Sequence, residues 1–231
     1  MPGGLVAYTD SGSTAFAALL EAWQLAAGSR IGTISGEFGA NAAVLRVLAS
    51  QRGWELVHLP VDELGRITDL VPGLDLVTFP QILSQRGVAQ PVEDVLASGV
   101  PLILDVAQSL GQAEVPAGCA AYIGTSRKWM CGPRGVGMLA VDPAYENQLL
   151  PPPTMSSVVN TGMGRFEPLE SNDAGRVGFA TSAQEWTVAA GPAVYRLAGG
   201  VRPLATQSAQ RPARCPHHPR PDIPTVLVSE P

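Results

Sequence analysis

Seven short apolar runs, each of strand length, recur along the first 141 residues and most constrain the fold. They cover residues 5–8, 31–35, 56–59, 74–79, 100–106, 119–124 and 136–141. Continuous apolar strands of this length are typical of parallel sheets that are buried on both faces. The sequence therefore predicts an α/β domain built on a mostly parallel (mixed) seven-stranded sheet.

Helical patterns lie between these runs and predict crossover connections that cover the sheet. Apolar residues recur at helical spacing from Phe16 to Ala27, and Gly28 follows as a stop signal. A second helix is predicted over residues 40–51 and a shorter one over residues 92–98. The sheet should therefore be flanked by helices.

The composition fits a globular protein and excludes several classes of partner. The chain has 231 residues, 45% of them hydrophobic and 15% charged, so it can bury a large core. Its net charge of -5, without a basic stripe, argues against nucleic acid. No apolar run approaches the roughly 20 residues that span a bilayer. Three scattered cysteines predict reduced thiols. We expect a cytoplasmic protein with no membrane partner.

The last part of the chain differs from the rest. Residues 201–231 hold seven of the 21 prolines and almost no helical or strand period. Such a segment cannot bury enough apolar surface to fold. We therefore expect a large domain over residues 1–200 and a disordered, Pro- and Arg-rich tail over residues 201–231.

Two chemically informative residues follow neighbouring strands. Asp105 ends an apolar run, and ligands of open parallel sheets bind beyond the carboxyl ends of strands. A buried carboxylate there needs a cationic or hydrogen-bonded partner, and a protonated pyridine nitrogen would serve. Lys128 follows the next run, where desolvation favours the neutral amine that imine chemistry requires.

The strand-to-helix junctions add candidate binding residues. Gly12, Ser13 and Thr14 open the first helix, whose free N–H groups suit a phosphate. Phe38, at the second junction, offers an aromatic face to a planar ring. A glycine-rich turn over residues 132–137 allows the backbone to approach a ligand closely.

Each of these residues also has an ordinary structural interpretation. A single lysine is usually a solvated surface charge, and Asp105 alone suits a turn or a helix cap. Trp129 is interpreted as a core aromatic and Cys131 as a bystander. A nucleotide-binding Rossmann domain is disfavoured because no G-x-G-x-x-G motif follows the first strand. It is the combined spacing that favours a functional site.

That combination resembles one known family. Three motifs carry the likeness, Asp105-x-Ala107-Gln108, Ser126-x-Lys128 and Gly132-Pro133-x-Gly135-x-Gly137. They are similar to the motif series of class V aminotransferases and cysteine desulfurases, enzymes of fold type I that use pyridoxal 5'-phosphate (PLP). The resemblance implies a PLP-dependent large domain, a small amino-acid-type substrate and a homodimer.

The resemblance also implies roles for individual residues. Lys128 would carry the cofactor as a Schiff base, Asp105 would bind the pyridinium nitrogen and Gln108 would face the phenolic oxygen. Phe38 stands where desulfurases stack a histidine on the ring, which weakens a desulfurase assignment. The phosphate would be held by Gly12, Ser13, Thr14 and Ser126.

Finer details resemble the carbon–sulfur (C-S) lyases of ergothioneine biosynthesis. The likeness lies in residues 84–91, 126–129 and 132–137, and the family position for a substrate-carboxylate arginine falls on Arg176. Arg86 is a second candidate for contact with the substrate, although a structural or dimer role is equally compatible. The implied reaction is β-elimination on a cysteine-conjugate sulfoxide, which gives pyruvate, ammonia and the sulfur product.

Two other functions stay open at this point. A cysteine desulfurase or another class V aminotransferase would share the same cofactor residues. The resemblance covers residues 5–200, and the family's opening segment and small C-terminal domain are not matched. An inactive, truncated PLP-fold fragment is therefore the third expectation.

Overall fold

The computed structural model describes residues 5–151 and 155–189. Within those residues the strands are β1 (Leu5–Thr9), β2 (Arg30–Thr33), β3 (Glu55–His58), β4 (Leu76–Pro80), β5 (Leu102–Asp105), β6 (Ala121–Thr125) and β7 (Gly137–Val141). The helices are α1 (Gly12–Ala22), α2 (Gly39–Arg52), α3 (Val92–Ala97), α4 (Met155–Val159) and α5 (Asp173–Ala189), with 3-10 helices at Pro143–Gln148 and Gly162–Phe166. All seven predicted strands are confirmed. The predicted tail, residues 201–231, lies outside the described residues.

The strands form one mixed sheet in the order β1-β7-β6-β5-β4-β2-β3. The pairings among β2 to β6 are parallel, whereas β7 is antiparallel to both of its neighbours, β1 and β6. Six strands therefore point the same way and end at one edge of the sheet. The start of β7 lies at that edge as well, because Gly137 pairs with Thr9 and with Thr125.

Helices cover both faces of the sheet. One apolar cluster joins Phe16 and Leu45 of the first two helices to Ile103 of β5. A second cluster, on the opposite face, joins Val95 of α3 to Leu104 of β5. The neighbours Ile103 and Leu104 face opposite clusters because side chains alternate across a strand.

The first helix ends earlier than the sequence predicts. The apolar spacing predicts a helix to Ala27, but α1 ends at Ala22. Trp23 takes an extended conformation and forms an isolated bridge with Leu149, so a pairing distant in sequence overrides the helical period. Gly28 lies in a turn, with a φ of 86°, and its N–H donates to the Gly53 carbonyl.

The longest described helix is α5, with 17 residues. Among the helices of the described ranges, none combines the length and the apolar character that a membrane crossing requires.

Candidate active site

Asp105 ends β5 at the edge where six strands finish, and it is buried, with 8% of its surface exposed. Its Oδ1 accepts a hydrogen bond from the Ala107 N–H at 2.8 Å, and its Oδ2 accepts one from Asn41 Nδ2 at 2.9 Å. Burial raises the pKa of Asp105, while these hydrogen bonds and the charge of Lys128 act in the opposite direction. The carboxyl is thus held in a fixed orientation inside the sheet edge.

Lys128 lies in the loop that follows β6, half-buried, and faces the same space. Its Nζ lies 5.6 Å from the centroid of the Phe38 ring. Burial lowers the pKa of Lys128, the charge of Asp105 raises it and that of Arg127 lowers it. The structure therefore brings together Lys128, Asp105 and Phe38. The depressed pKa favours the neutral, nucleophilic amine.

Gln108 follows β5 by three residues and contacts the loop between β6 and β7, residues 126–136, which is called the lysine loop below. Its Oε1 accepts a hydrogen bond from Trp129 Nε1 at 3.3 Å. Sequence reasoning treated Trp129 as a core aromatic and missed this contact, because a hydrogen bond across 21 residues leaves no local signal. The indole orients the Gln108 amide at the same end of the sheet.

Ser126 begins the lysine loop and is fully buried. Its Oγ lies within hydrogen-bonding distance of the Pro133 and Val136 carbonyl oxygens. A hydroxyl has one proton to donate, so in this structure Ser126 uses that proton in a hydrogen bond to a backbone carbonyl of its own loop. Its assignment as a phosphate ligand stays a prediction.

The β1–α1 junction carries the candidate phosphate site. Ser11 caps α1, because its Oγ accepts the Thr14 N–H at 3.1 Å and pairs with Thr14 Oγ1 at 2.9 Å. The first N–H groups of a helix have no partner within the helix, so those of Gly12 and Ser13 suit an anion. A Cβ on Gly12 would lie 3.0 Å from the Gly124 carbonyl oxygen, so glycine allows this junction to rest on β6.

The two predicted substrate arginines make contacts elsewhere in the chain. Arg176 Nη1 pairs with Glu167 Oε2 at 3.0 Å, and its guanidinium lies 5.6 Å from the Tyr8 ring centroid. Arg86 Nη1 donates to the Glu63 carbonyl at 2.9 Å and lines a cavity of about 230 Å³. Substrate contact by Arg176 and Arg86 stays a prediction.

Two further residues of the site were not assigned from sequence. Glu37 is 7% exposed, and its Oε1 accepts hydrogen bonds from the Phe38 N–H at 2.7 Å and from Asn41 Nδ2 at 3.3 Å. Burial, reinforced by the charge of Asp105, raises the pKa of Glu37 to about 8. The available signal was the i, i+4 spacing of Glu37 and Asn41 at a strand-to-helix junction.

The arrangement fits PLP, judged from the residues alone. Asp105 offers a carboxylate to a protonated ring nitrogen, Lys128 an amine to an aldehyde, and Phe38 a flat surface to the ring. Asn41 Oδ1 and Gln81 Oε1 are buried near these strand ends and have no hydrogen-bond partner in the structure. Within residues 5–151 and 155–189, no group of three or more His, Cys, Asp or Glu side chains could hold a metal ion.

Comparison with known proteins identifies one family. The family model described as "Aminotransferase class-V" matches residues 4–164. A curated relative, "Probable hercynylcysteine sulfoxide lyase" of Mycobacterium tuberculosis (strain CDC 1551 / Oshkosh), is 32% identical over 218 residues. That match covers 85% of this chain and 51% of the relative, so the chain spans about half the length of the curated relative it matches.

Solved structures share the fold. The apo cysteine desulfurase of Thermococcus onnurineus NA1 superposes with a TM-score of 0.71 at 20% identity, over 78% of this chain and 51% of that one. The cystine C-S lyase C-DES, in complex with its reaction product cysteine persulfide, gives 0.68 at 22% identity, over 78% and 55%. A C-DES variant with glycine covalently linked to its PLP cofactor gives 0.70 at 21%, over 79% and 55%. These likenesses confirm the predicted fold.

Proposed function

Because this chain belongs to the class V aminotransferase family, we propose that it is a PLP-dependent C-S lyase acting on a cysteine-conjugate sulfoxide. One observation carries the proposal: a half-buried amine, a buried carboxyl and an aromatic ring meet where the parallel strands end. The 32% identity to a protein named as a probable hercynylcysteine sulfoxide lyase supports the substrate class and a role in ergothioneine biosynthesis.

The residues divide the work between holding the cofactor and moving a proton. Lys128 would hold the cofactor covalently through Nζ, and Asp105 would keep the ring nitrogen protonated by ion pairing. When bound, the cofactor supplies an electron-accepting ring that stabilises negative charge at the substrate Cα. Gln108 and Phe38 would orient the ring, and the α1 N-terminus would bind its phosphate.

The amine of Lys128 also suits the proton transfer. Once released by the incoming substrate amine, Nζ would take the proton from Cα while the sulfur group leaves Cβ with the bonding electron pair. Hydrolysis of the remaining three-carbon fragment gives pyruvate and ammonia. The elimination thus breaks one C–H and one C–S bond and the hydrolysis breaks one C–N bond, so the reaction requires water but no oxidant or reductant.

Reduction with borohydride tests the cofactor assignment directly. Lys128 is the only lysine in the 231-residue sequence, so a PLP label fixed on a lysine has one location. We expect peptide mass spectrometry to find the label at Lys128 and to find none in Lys128→Arg, which keeps the charge but cannot form the imine. Arg127→Ala, the neighbouring control, should keep the label. An unlabelled wild-type chain would refute the proposal and favour a non-catalytic fragment.

Product analysis then tests the reaction. A C-S lyase releases pyruvate from a cysteine-conjugate sulfoxide, whereas a cysteine desulfurase produces alanine and a persulfide from cysteine. Pyruvate from the sulfoxide supports the proposal. Alanine from cysteine without pyruvate from the sulfoxide contradicts it.

A further inference from the structure

Two buried carboxyls of the candidate site are linked by a single side-chain amide. Asn41, only 1% exposed, donates from Nδ2 to Asp105 Oδ2 at 2.9 Å and to Glu37 Oε1 at 3.3 Å. An amide NH₂ has two hydrogens, so one is directed to each carboxyl. Asn41 therefore joins Glu37, at the β2–α2 junction, to Asp105, at the end of β5.

The hydrogen bonding around Glu37 favours its neutral acid. Its second oxygen, Oε2, is buried without a hydrogen-bond partner in the structure, and so is Asn41 Oδ1. Burying a carboxylate oxygen without a hydrogen-bond donor destabilises the folded state. A proton on Oε2 turns that atom into a donor, and the cluster contains an unpaired acceptor, Asn41 Oδ1. A second negative charge beside Asp105 would also be repelled.

We propose that Glu37 is a positioning residue: as the neutral acid it fixes the Asn41 amide, which in turn holds Asp105 ionised and aimed at the cofactor's ring nitrogen. The inference rests on the proposed function for its cofactor and extends it to a residue that does not touch the ring. The raised pKa of Glu37, about 8, agrees with a neutral acid at physiological pH.

In the described part of the chain, the charges that act on the pair come from β5 and from the loop after β6. Asp105, from β5, is the charge that acts on Glu37, and Lys128, from the loop after β6, is the charge that acts on Asp105. Arg127 acts on Lys128 in turn. With Glu37 neutral, the carboxylate of Asp105 and a protonated ring nitrogen would balance each other.

Carbon-13 NMR of carboxyl-labelled chain tests the linkage without the cofactor. We expect the Glu37 resonance, identified by its loss in Glu37→Gln, to titrate at about pH 8. The Asp105 resonance, identified by its loss in Asp105→Asn, should shift over the same pH range, and this coupled shift should vanish in Glu37→Gln. Titration of Glu37 near its ordinary pKa, or an Asp105 resonance indifferent to Glu37, would overturn the inference.

Cofactor retention provides the second readout. Gln at position 37 keeps a neutral group with an acceptor for the Phe38 N–H, so Glu37→Gln should retain PLP within about twofold of wild type. Glu37→Ala removes the acceptor that fixes Asn41 and should weaken retention about tenfold, while the exposed control Glu21→Ala should not. Equal retention in Glu37→Ala and wild type would contradict the positioning role.

The two proposals fail separately. Absence of the borohydride label in the wild-type chain would count against the proposed function, whereas the NMR titration does not involve PLP. If Glu37→Ala does not fold, the wild-type titration and Glu37→Gln still decide the inference.

Discussion

Asp105 has surroundings that suit a carboxylate opposite a cation. Two donors fix its oxygens, and Lys128 is the nearby charge that lowers its pKa against the effect of burial. Asn at this position is nearly isosteric but cannot stabilise a protonated ring nitrogen. We expect Asp105→Asn to keep the borohydride label at Lys128 and to lower pyruvate formation about 100-fold. A rate within about threefold of wild type would show that Asp105 is not the ring-nitrogen partner.

Glu37 links stability to pH with a definite sign. Its pKa rises from 4.5 in the unfolded chain to about 8 in the folded one, so the folded state binds more protons between those values. The contribution of Glu37 to the free energy of unfolding is then fully present below the unfolded pKa and is lost as pH rises through the folded pKa. Between the two pKa values the loss is about 1 kcal/mol per pH unit.

Urea unfolding at several pH values measures this dependence. Glu37→Gln should make the decline between about pH 5 and 8 shallower, although the raised pKa of Asp105 leaves part of it. Glu21→Gln, which removes an exposed carboxyl, should parallel wild type. Parallel curves for wild type and Glu37→Gln would contradict a buried neutral acid.

The sequence predicted the position of a candidate site residue best where that position follows from a strand end, while the roles of these residues stay predictions. Lys128, Asp105 and Phe38 follow strands or open a helix, and a parallel sheet brings such positions to one edge. Glu37 was missed because its burial and its link to Asp105 depend on a contact across 64 residues. The hydroxyl of Ser126, directed at two carbonyls of its own loop, shows that a motif position does not fix a side chain's partner.

At the scale of elements, a glycine lets the β1–α1 junction lie against the sheet. A Cβ on Gly137 would lie 2.2 Å from the Ser11 carbonyl carbon and 2.4 Å from its oxygen, which are backbone atoms. Gly137→Ala should therefore displace the β1–α1 junction, lower the free energy of unfolding by about 2 to 3 kcal/mol and weaken PLP retention.

Gly39→Ala is the matched control for that change. A Cβ on Gly39, the first residue of α2, would meet no atom within 4 Å, so alanine should be neutral or slightly stabilising there. If the two variants unfold at the same urea concentration, the close approach at Gly137 is not what shapes the junction.

Elements were predictable where local period and packing agree. The seven strands are confirmed, because each is an apolar run buried on both sides or at an edge. Helix α5 was not predicted, since Gly175 and Gly178 interrupt its pattern. Both glycines lie close to other parts of the molecule: a Cβ would lie 2.9 Å from Val136 Cγ2 at the first and 3.3 Å from Pro133 Cγ at the second. At these two positions, close packing against the rest of the molecule outweighs the low helix propensity of glycine.

At the scale of the whole molecule, the strand order could not be read from the sequence. The first strand, β1, pairs with the last, β7, and only β7 is reversed. Apolar runs specify that strands exist, whereas their order depends on contacts between distant segments. This order brings the β1–α1 junction beside the loop that carries Lys128, so the candidate phosphate site and the amine lie at one edge of the sheet.

Phe179 of α5 connects three distant parts of the chain. It is buried with Met130 and Val136, its ring lies edge-on to Tyr8 of β1 at a centroid distance of 6.2 Å, and a Cβ on Gly132 would lie 3.4 Å from its Cδ2. The lysine loop thus rests on this ring. Phe179→Ala should lower the free energy of unfolding by about 3 kcal/mol and reduce the fraction of Lys128 that borohydride traps.

Val177 lies two residues away on the same helix and is 68% exposed, so Val177→Ala controls for changes in α5 itself. We expect that variant to stay within about 0.5 kcal/mol of wild type and to keep its label. Urea unfolding and the trapped fraction would be measured side by side. If Phe179→Ala loses stability but traps as much PLP as Val177→Ala, α5 stabilises the sheet without supporting the lysine loop. Loss of both stability and trapped PLP in Phe179→Ala, but not in Val177→Ala, would show that the packing of α5 against β1 supports the loop that carries Lys128.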